Sequence, residues 1–239
     1  MKVLDLFAGI GGFTLGLERA GFETAAFCEI DPYAQKVLAK HWPGVPIYDD
    51  VRTITAERLA SDGIGVDVIT GGFPCQDIST AGNQAGIQDG TRSGLWSECA
   101  RLLGELRPRY AIFENVTNLL NGERGAWFKR VLWDISKVGY DAEWHCIPAS
   151  ELGSHHHRDR VWIVAYPDSS QCQRGRLSFG ISQEHSQPVI SSWWEAEPNV
   201  DRVADGVPGR THRLKCLGNA VVPQIPELIG HAIMGATNE

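Results

Sequence analysis

The chain has 239 residues, 43% of them hydrophobic and 21% charged, the composition of a globular unit rather than of a disordered or fibrous chain. Six cysteines, at 28, 75, 99, 146, 172 and 216, stand singly with no CxxC pair, which argues against a zinc ribbon and a disulfide framework. The formal net charge of −7 disfavours a uniformly basic nucleic-acid-binding surface, but residues 1–90 hold 6 Lys/Arg against 12 Asp/Glu while residues 91–239 hold 16 against 17.

In chain order, "KVLDLFA" (2–8) reads as a buried strand, followed by the glycine turn "GIGG" and a helix ending near Ala20. "ETAAFCE" (23–29) reads as a second strand, and Pro32 then sits where a helix N-terminus accepts proline, in a helix running to about His41. A third candidate strand precedes Asp50. "VDVIT" (66–70), "YAIFE" (110–114) and "RVWIVA" (160–165) are further apolar strands. Helices are expected over "LWSECARLLGEL", over about 125–138, and over "PQIPELIGHAIMGA". Strands alternating with helices predict an α/β fold with a doubly wound, mostly parallel sheet. After Tyr166 the character changes: residues 167–210 are rich in Ser, Gln, Gly and Pro, with Trp193 and Trp194 and little periodicity. The expected division is a core domain over 1–166, a small irregular region over 167–210, and a segment over 211–239 that returns to the core. No apolar run reaches membrane-spanning length and "MKVLDLFAGIGG" lacks a signal-peptide plan, so an intracellular protein is expected.

"DLFAGIGGF" places glycines where the first strand turns into a helix, letting a ligand approach the backbone and the free N–H groups of the helix N-terminus. The dinucleotide fingerprint fails, because Thr14 stands where the third glycine is needed. Glu29 ends the second strand, where a carboxylate commonly hydrogen-bonds ribose hydroxyls, and Asp50-Val51 could face an adenine. These features point to an adenosine-containing ligand and leave NAD and S-adenosylmethionine both open.

In "GGFPCQDIS" (71–79), Cys75 follows a proline at the C-terminal end of a strand, the edge where α/β sheets bind ligands. A cysteine met without context is more often buried and inert than reactive. Here Gly71 and Gly72 permit close approach and Pro74 restrains the backbone, which makes Cys75 a candidate nucleophile.

With these residues, the sequence resembles the cytosine-C5 DNA methyltransferases, of prokaryotic or phage type. "DLFAGIGGF", "GGFPCQDIS", "RSGLW" (92–96), "ENV" (114–116), "RDRVWIVA" (158–165) and "RLKCLGNAVVP" (213–223) match six of their motifs in order, over nearly the whole chain except about 167–205. The resemblance implies the fold of S-adenosylmethionine-dependent methyltransferases, S-adenosyl-L-methionine as cofactor, and Cys75 as the nucleophile that adds to C6 of a flipped cytosine so that C5 can accept a methyl group. It implies that Glu114 assists at ring N3, which requires a partly protonated carboxyl, that Asn115 helps hold that loop, and that Arg158 and Arg160 grip the base and its phosphate. Without the motifs, Glu114 also reads as a salt-bridged strand end and the two arginines as a solvated edge.

For the cofactor, the resemblance carries Phe7, Gly9 and Gly11 to the methionine end, Glu29 to the ribose, and Ile30, Asp50 and Val51 to the adenine. Pro74, Leu95, Asn219 and Ala220 complete the pocket. DNA contacts are expected from Gln76, Ser79, Arg92 and Ser93 in a closing loop, and from Arg174, Arg176 and Arg202 in the recognition region. Duplex DNA is the implied partner, a cognate restriction endonuclease is allowed, and a cytoplasmic monomer is expected, although a recognition region of roughly 40 residues is short for reading base edges and is compatible with a helper.

Some features depart from the family or mislead. His156 stands where the family usually has glutamine, and "GNA" replaces the commoner Gly-Asn-Ser. "SHHHRDR" suggests a metal site, but neighbouring side chains on a strand point to opposite faces, and no metal is expected. "DPY" (31–33) looks like part of an amino-methylating motif but follows the wrong strand. The tRNA-acting relatives carry Cys-Phe-Thr in their recognition region and this chain does not. A tRNA methyltransferase and a catalytically silent DNA-binding protein remain the alternatives.

Overall fold

The computed structural model describes residues 1–74, 93–154, 157–168 and 210–237, with backbone alone for 93, 210–214 and 237. Seven strands form one sheet: β1 (Lys2–Leu6), β2 (Glu23–Cys28), β3 (Ile47–Tyr48), β4 (Val68–Gly72), β5 (Tyr110–Val116), β6 (Tyr140–Pro148) and β7 (Asp159–Pro167), in the order β3-β2-β1-β4-β5-β7-β6. The first five pair parallel, whereas β7 runs antiparallel to both β5 and β6. The helices are α1 (Gly12–Arg19), α2 (Pro32–His41), α3 (Ala56–Ser61), α4 (Trp96–Leu106), α5 (Asn118–Lys137), α6 (Arg210–Asn219) and α7 (Gln224–Thr237).

The expected α/β architecture is present, because alternate residues of each buried strand serve two cores. Leu4, Leu6, Ile69 and Phe113 face Leu102, Leu103, Val131 and Ile135 of α4 and α5. Val3, Val68, Ile112 and Trp162 face Leu17 of α1 and Ile225, Ile229 and Ile233 of α7. Asp31 caps α2 by accepting from the Tyr33 and Ala34 amides at 2.8 and 3.4 Å, with Pro32 in the first turn. The "DPY" stretch is therefore a helix start.

Four elements differ from expectation. Strand β6 escapes pattern reading because its sequence YDAEWHCIP is half exposed and mixes polar with apolar residues. Helix α5 is broken by non-helical backbone at Gly122–Gly125: the part after the break is the expected helix, and the turn before it, from Asn118, is additional. Helices α3 and α6 are additional, and α6 is mostly polar. The region 169–209 lies outside the described residues.

In this order the sheet reverses its direction of winding between β1 and β4. Both strands end at the same edge, and a ligand crevice is expected outside such a switch point.

Candidate active site

The turn after β1 is built on unusual backbone. Phe7, Gly9 and Gly11 take φ of 53°, 55° and 87°. Glycine adopts such angles freely, whereas a bulky residue does so only where the surroundings enforce it. The turn is held by the Ala8 amide, which donates to the Cys28 carbonyl at 3.1 Å, and by Glu29 just after β2, whose carboxylate accepts from the Gly9 amide and from the Asp31 amide, both at 2.7 Å. One side chain thus ties the β1 turn to the start of α2. Gly11 serves packing: a Cβ there would come within 2.5 Å of the Trp42 ring.

These residues open on a cavity of about 660 Å³ at the switch point, within the size range of small-molecule sites. It is lined by Phe7, Gly9, Glu29, Ile30, Asp50, Val51, Pro74, Leu95 and Asn219, and also by Glu114, Asn115, Arg158 and Arg160. Of the expected cofactor residues, Gly11 and Ala220 are not in this lining. Asp50 caps the short turn Val51–Thr53 and binds the Arg52 guanidinium at 2.6 Å, and these bonds hold its carboxyl below the usual range. Arg101 on α4 donates to the carbonyls of Val51 and Ile54 at 3.2 and 3.0 Å, fixing that turn from behind. Sequence reading missed Arg101, and also the Asp31–Lys215 pair at 3.5 Å, both of whose residues line the cavity. The cap signal at Asp31 was readable; its partner 184 positions later was not.

The far end of the cavity carries acid and base groups. Glu114 lies near the end of β5 with its side chain 12% exposed, and Arg160 Nε is 2.8 Å from its Oε1. Burial pushes the Glu114 carboxyl up, and the neighbouring charges of Arg160 and Arg158 pull it partly back. The facing residue on β4 is Gly72, where a Cβ would stand 3.2 Å from Glu114 Oε2. Asn115 is buried and donates from Nδ2 to the Phe73 carbonyl at 3.1 Å, while its Oδ1 accepts from the Val116 amide at 2.9 Å. It thus holds the chain just before Pro74 and Cys75. Beneath, Trp96 packs against Phe73 and Phe113, with ring centroids 5.1 Å away in each case. Arg158, at φ 38°, donates from Nη1 and Nη2 to the carbonyls of Gly218 and Ala220, both at 2.7 Å.

Cys75, Gln76, Ser79, Arg92, His156, Arg174, Arg176 and Arg202 lie outside the described residues, as does the side chain of Ser93. The thiols of Cys28, Cys99, Cys146 and Cys216 are all pushed up, chiefly by burial, that of Cys28 to about 12. None of these four is set up as a thiolate at neutral pH.

The chain matches the family model of the C-5 cytosine-specific DNA methylase over residues 1–204. It is 38% identical over 206 residues to the type II methyltransferase M2.BsuMI of Bacillus subtilis, covering 84% of this chain and 48% of that protein. It is 32% identical over 201 residues to M.FnuDI of Fusobacterium nucleatum, covering 84% and 57%. The chain spans about half the length of these curated relatives. Among solved structures it resembles a prophage-encoded protein of E. coli described as a DNA modification methyltransferase, at TM-score 0.60 and 29% identity over 70% of this chain and 47% of that one. It also resembles the S. pombe Dnmt2 methyltransferase at TM-score 0.58 and 20% identity, over 80% and 56%, a likeness of fold alone. The family match runs through every strand of the sheet, and the chain belongs to the C-5 cytosine-specific DNA methylase family.

Proposed function

We propose that the protein is a DNA cytosine-C5 methyltransferase acting on a cytosine turned out of duplex DNA, with Cys75 as nucleophile. The observation that carries this reading is Glu114: a carboxyl held toward its protonated form by burial, paired with Arg160, at the end of the cavity where Pro74 leads into Cys75.

The cavity suits S-adenosyl-L-methionine. No heavy atom lies within 4 Å of the Cβ position at Gly9, so a ligand can approach its backbone, and the Glu29 carboxylate lines the wall beside Ile30, Asp50 and Val51. When bound, this cofactor supplies an electrophilic methyl group that an activated C5 accepts. The chain's own residues do the rest. Cys75 as thiolate forms a bond to C6, and the displaced electron pair moves into the ring toward N3. A protonated Glu114 shares its proton with N3 and so relieves that charge. Arg160 keeps the carboxyl oriented and supplies further donors for the base. Asn115 steadies Phe73 and Pro74, and with them the base of the nucleophile's loop. A water molecule then takes the C5 proton, the C5–C6 double bond re-forms as the thiolate leaves C6, and the N3 proton returns to Glu114.

The type II names of the bacterial relatives support a cytoplasmic setting and a cognate restriction endonuclease as partner. The test is transfer of labelled methyl groups to duplex DNA and to tRNA, with C5-fluorinated cytosine DNA as a trap, comparing wild type with Cys75→Ser. Label in duplex DNA, with a covalent adduct lost in C75S, is the expected result. Label only in tRNA moves the substrate assignment, and no label or adduct on any substrate rejects the enzyme reading.

A further inference from the structure

We propose that Arg158 is a positioning residue that latches the C-terminal segment to the cofactor wall, leaving Arg160 as the arginine that works at Glu114. The inference rests on the cavity being the cofactor site. The guanidinium of Arg158 bridges the carbonyls of Gly218 and Ala220, 60 and 62 residues away in sequence, with two bonds of 2.7 Å. Helix α6 ends at Asn219, so both carbonyls belong to a helix C-terminus, where oxygens lack intrahelical partners and the helix dipole favours a cation. A planar fork on two carbonyls one residue apart restrains the residue between them. That residue is Asn219, which lines the cavity.

The opposite side of the segment is equally constrained. A Cβ at Gly12 would come within 2.5 Å of the Val221 carbonyl oxygen, and one at Gly16 would collide with the Pro223 carbonyl. Residues 221–223 therefore rest directly on the backbone of α1. The Lys215–Asp31 pair holds the α6 end to the β2 side of the same cavity. Arg158 supplies the third restraint, and its left-handed backbone is maintained in that position. Because Arg158 stands two residues before Arg160, the wall beside Asn219 and the group that orients Glu114 hang from one strand start.

Arg158 also lowers the Glu114 pKa, less than Arg160 does, so activity alone does not separate the roles. Binding of S-adenosylhomocysteine without DNA does, measured by calorimetry alongside amide hydrogen exchange on the full chain. Arg158→Met is expected to weaken binding at least tenfold and to speed exchange at residues 217–222 while leaving β1 unchanged. Arg158→Lys keeps the charge and one bond and falls between. Wild-type affinity in R158M, or exchange rising evenly through the sheet in both variants, overturns the assignment. Failure of the wild-type protein to bind S-adenosylhomocysteine rejects the proposed function instead, and the exchange pattern still judges the latch.

Discussion

Arg160 Nε lies 2.8 Å from Glu114 Oε1 because β5 and β7 run in opposite directions. Glu114 is near the end of one strand and Arg160 near the start of the other, with Arg160 opposite Val116. A parallel β7 would have carried the arginine to the other edge of the sheet. This single pairing places a cation beside a buried acid at one end of the cavity, where it opposes the upward push of burial on the carboxyl.

Glu114→Gln removes the transferable proton and is expected to lower kcat by about 10²-fold or more. Arg160→Ala removes the charge that lowers the Glu114 pKa, so that pKa rises further. In the proposed mechanism activity requires the protonated carboxyl and falls as pH rises through its pKa. The alkaline limb of the pH–rate profile should therefore move to higher pH in R160A, together with a lower maximum. A limb that stays in place, or moves to lower pH, excludes Glu114 as the group behind it.

Glu29→Gln is expected to weaken S-adenosylhomocysteine binding on the order of tenfold, about 1.4 kcal/mol. Both carboxylate oxygens accept backbone N–H groups, from Gly9 and Asp31, and an amide can accept through only one. The other N–H faces an NH₂ group, at a cost of about 1–3 kcal/mol in stability. Calorimetric titration and a denaturant melt measure the two effects separately.

Asp5 is fully buried and accepts from the hydroxyls of Thr14 and Thr70 at 2.9 and 2.7 Å. Burial raises its pKa from 3.8 to about 6, against the opposing pull of those hydrogen bonds. A raised folded-state pKa means that the native state holds the proton more tightly than the unfolded chain does. Its stabilising contribution is complete below pH 3.8 and is lost as pH rises through 6. Measured against Asp5→Asn, which does not titrate, wild-type stability should fall by about 3 kcal/mol or less between pH 4 and pH 7. Urea unfolding at the two pH values checks this, and a gap independent of pH contradicts it.

Gly16→Ala should destabilise the fold by at least about 1–3 kcal/mol, because the obstacle is the Pro223 backbone carbonyl, which cannot rotate away. Gly65→Ala is the control: no atom lies within 4 Å of its Cβ position, so the change should stay within about 0.5 kcal/mol. Equal effects of the two substitutions would show that the 221–223 segment does not rest on α1 as described.

Much of the fold was readable because its signals are local. Alternating apolar strands, the cap-and-proline start of α2 and the glycine turn after β1 each span a few residues. Gly9, Glu29 and Asp50 could be selected because strand ends and turn residues carry their own chemistry, whereas Phe7 came only from the family resemblance. Strand β6 could not, since at the sheet edge only part of its surface is covered, and its composition does not separate from that of a loop. Arg101 and Lys215 act on groups 47 to 184 positions away, and nothing near them in the chain marks that use.

Residue chemistry alone pointed to an adenosine-type turn, and the order of six motifs to a resemblance to the methyltransferase family, which in turn implied Glu114 as an acid. Tertiary structure decided what each arginine touches. Period-two patterning reports that a segment is a strand but not its direction, because direction depends on the partner it meets. The antiparallel entry of β7 turns Arg160 to Glu114 and lets Arg158 reach the end of α6. Burial likewise shifts Glu114: the same carboxyl in water would be ionised at neutral pH, and desolvation moves it toward the proton it is proposed to donate.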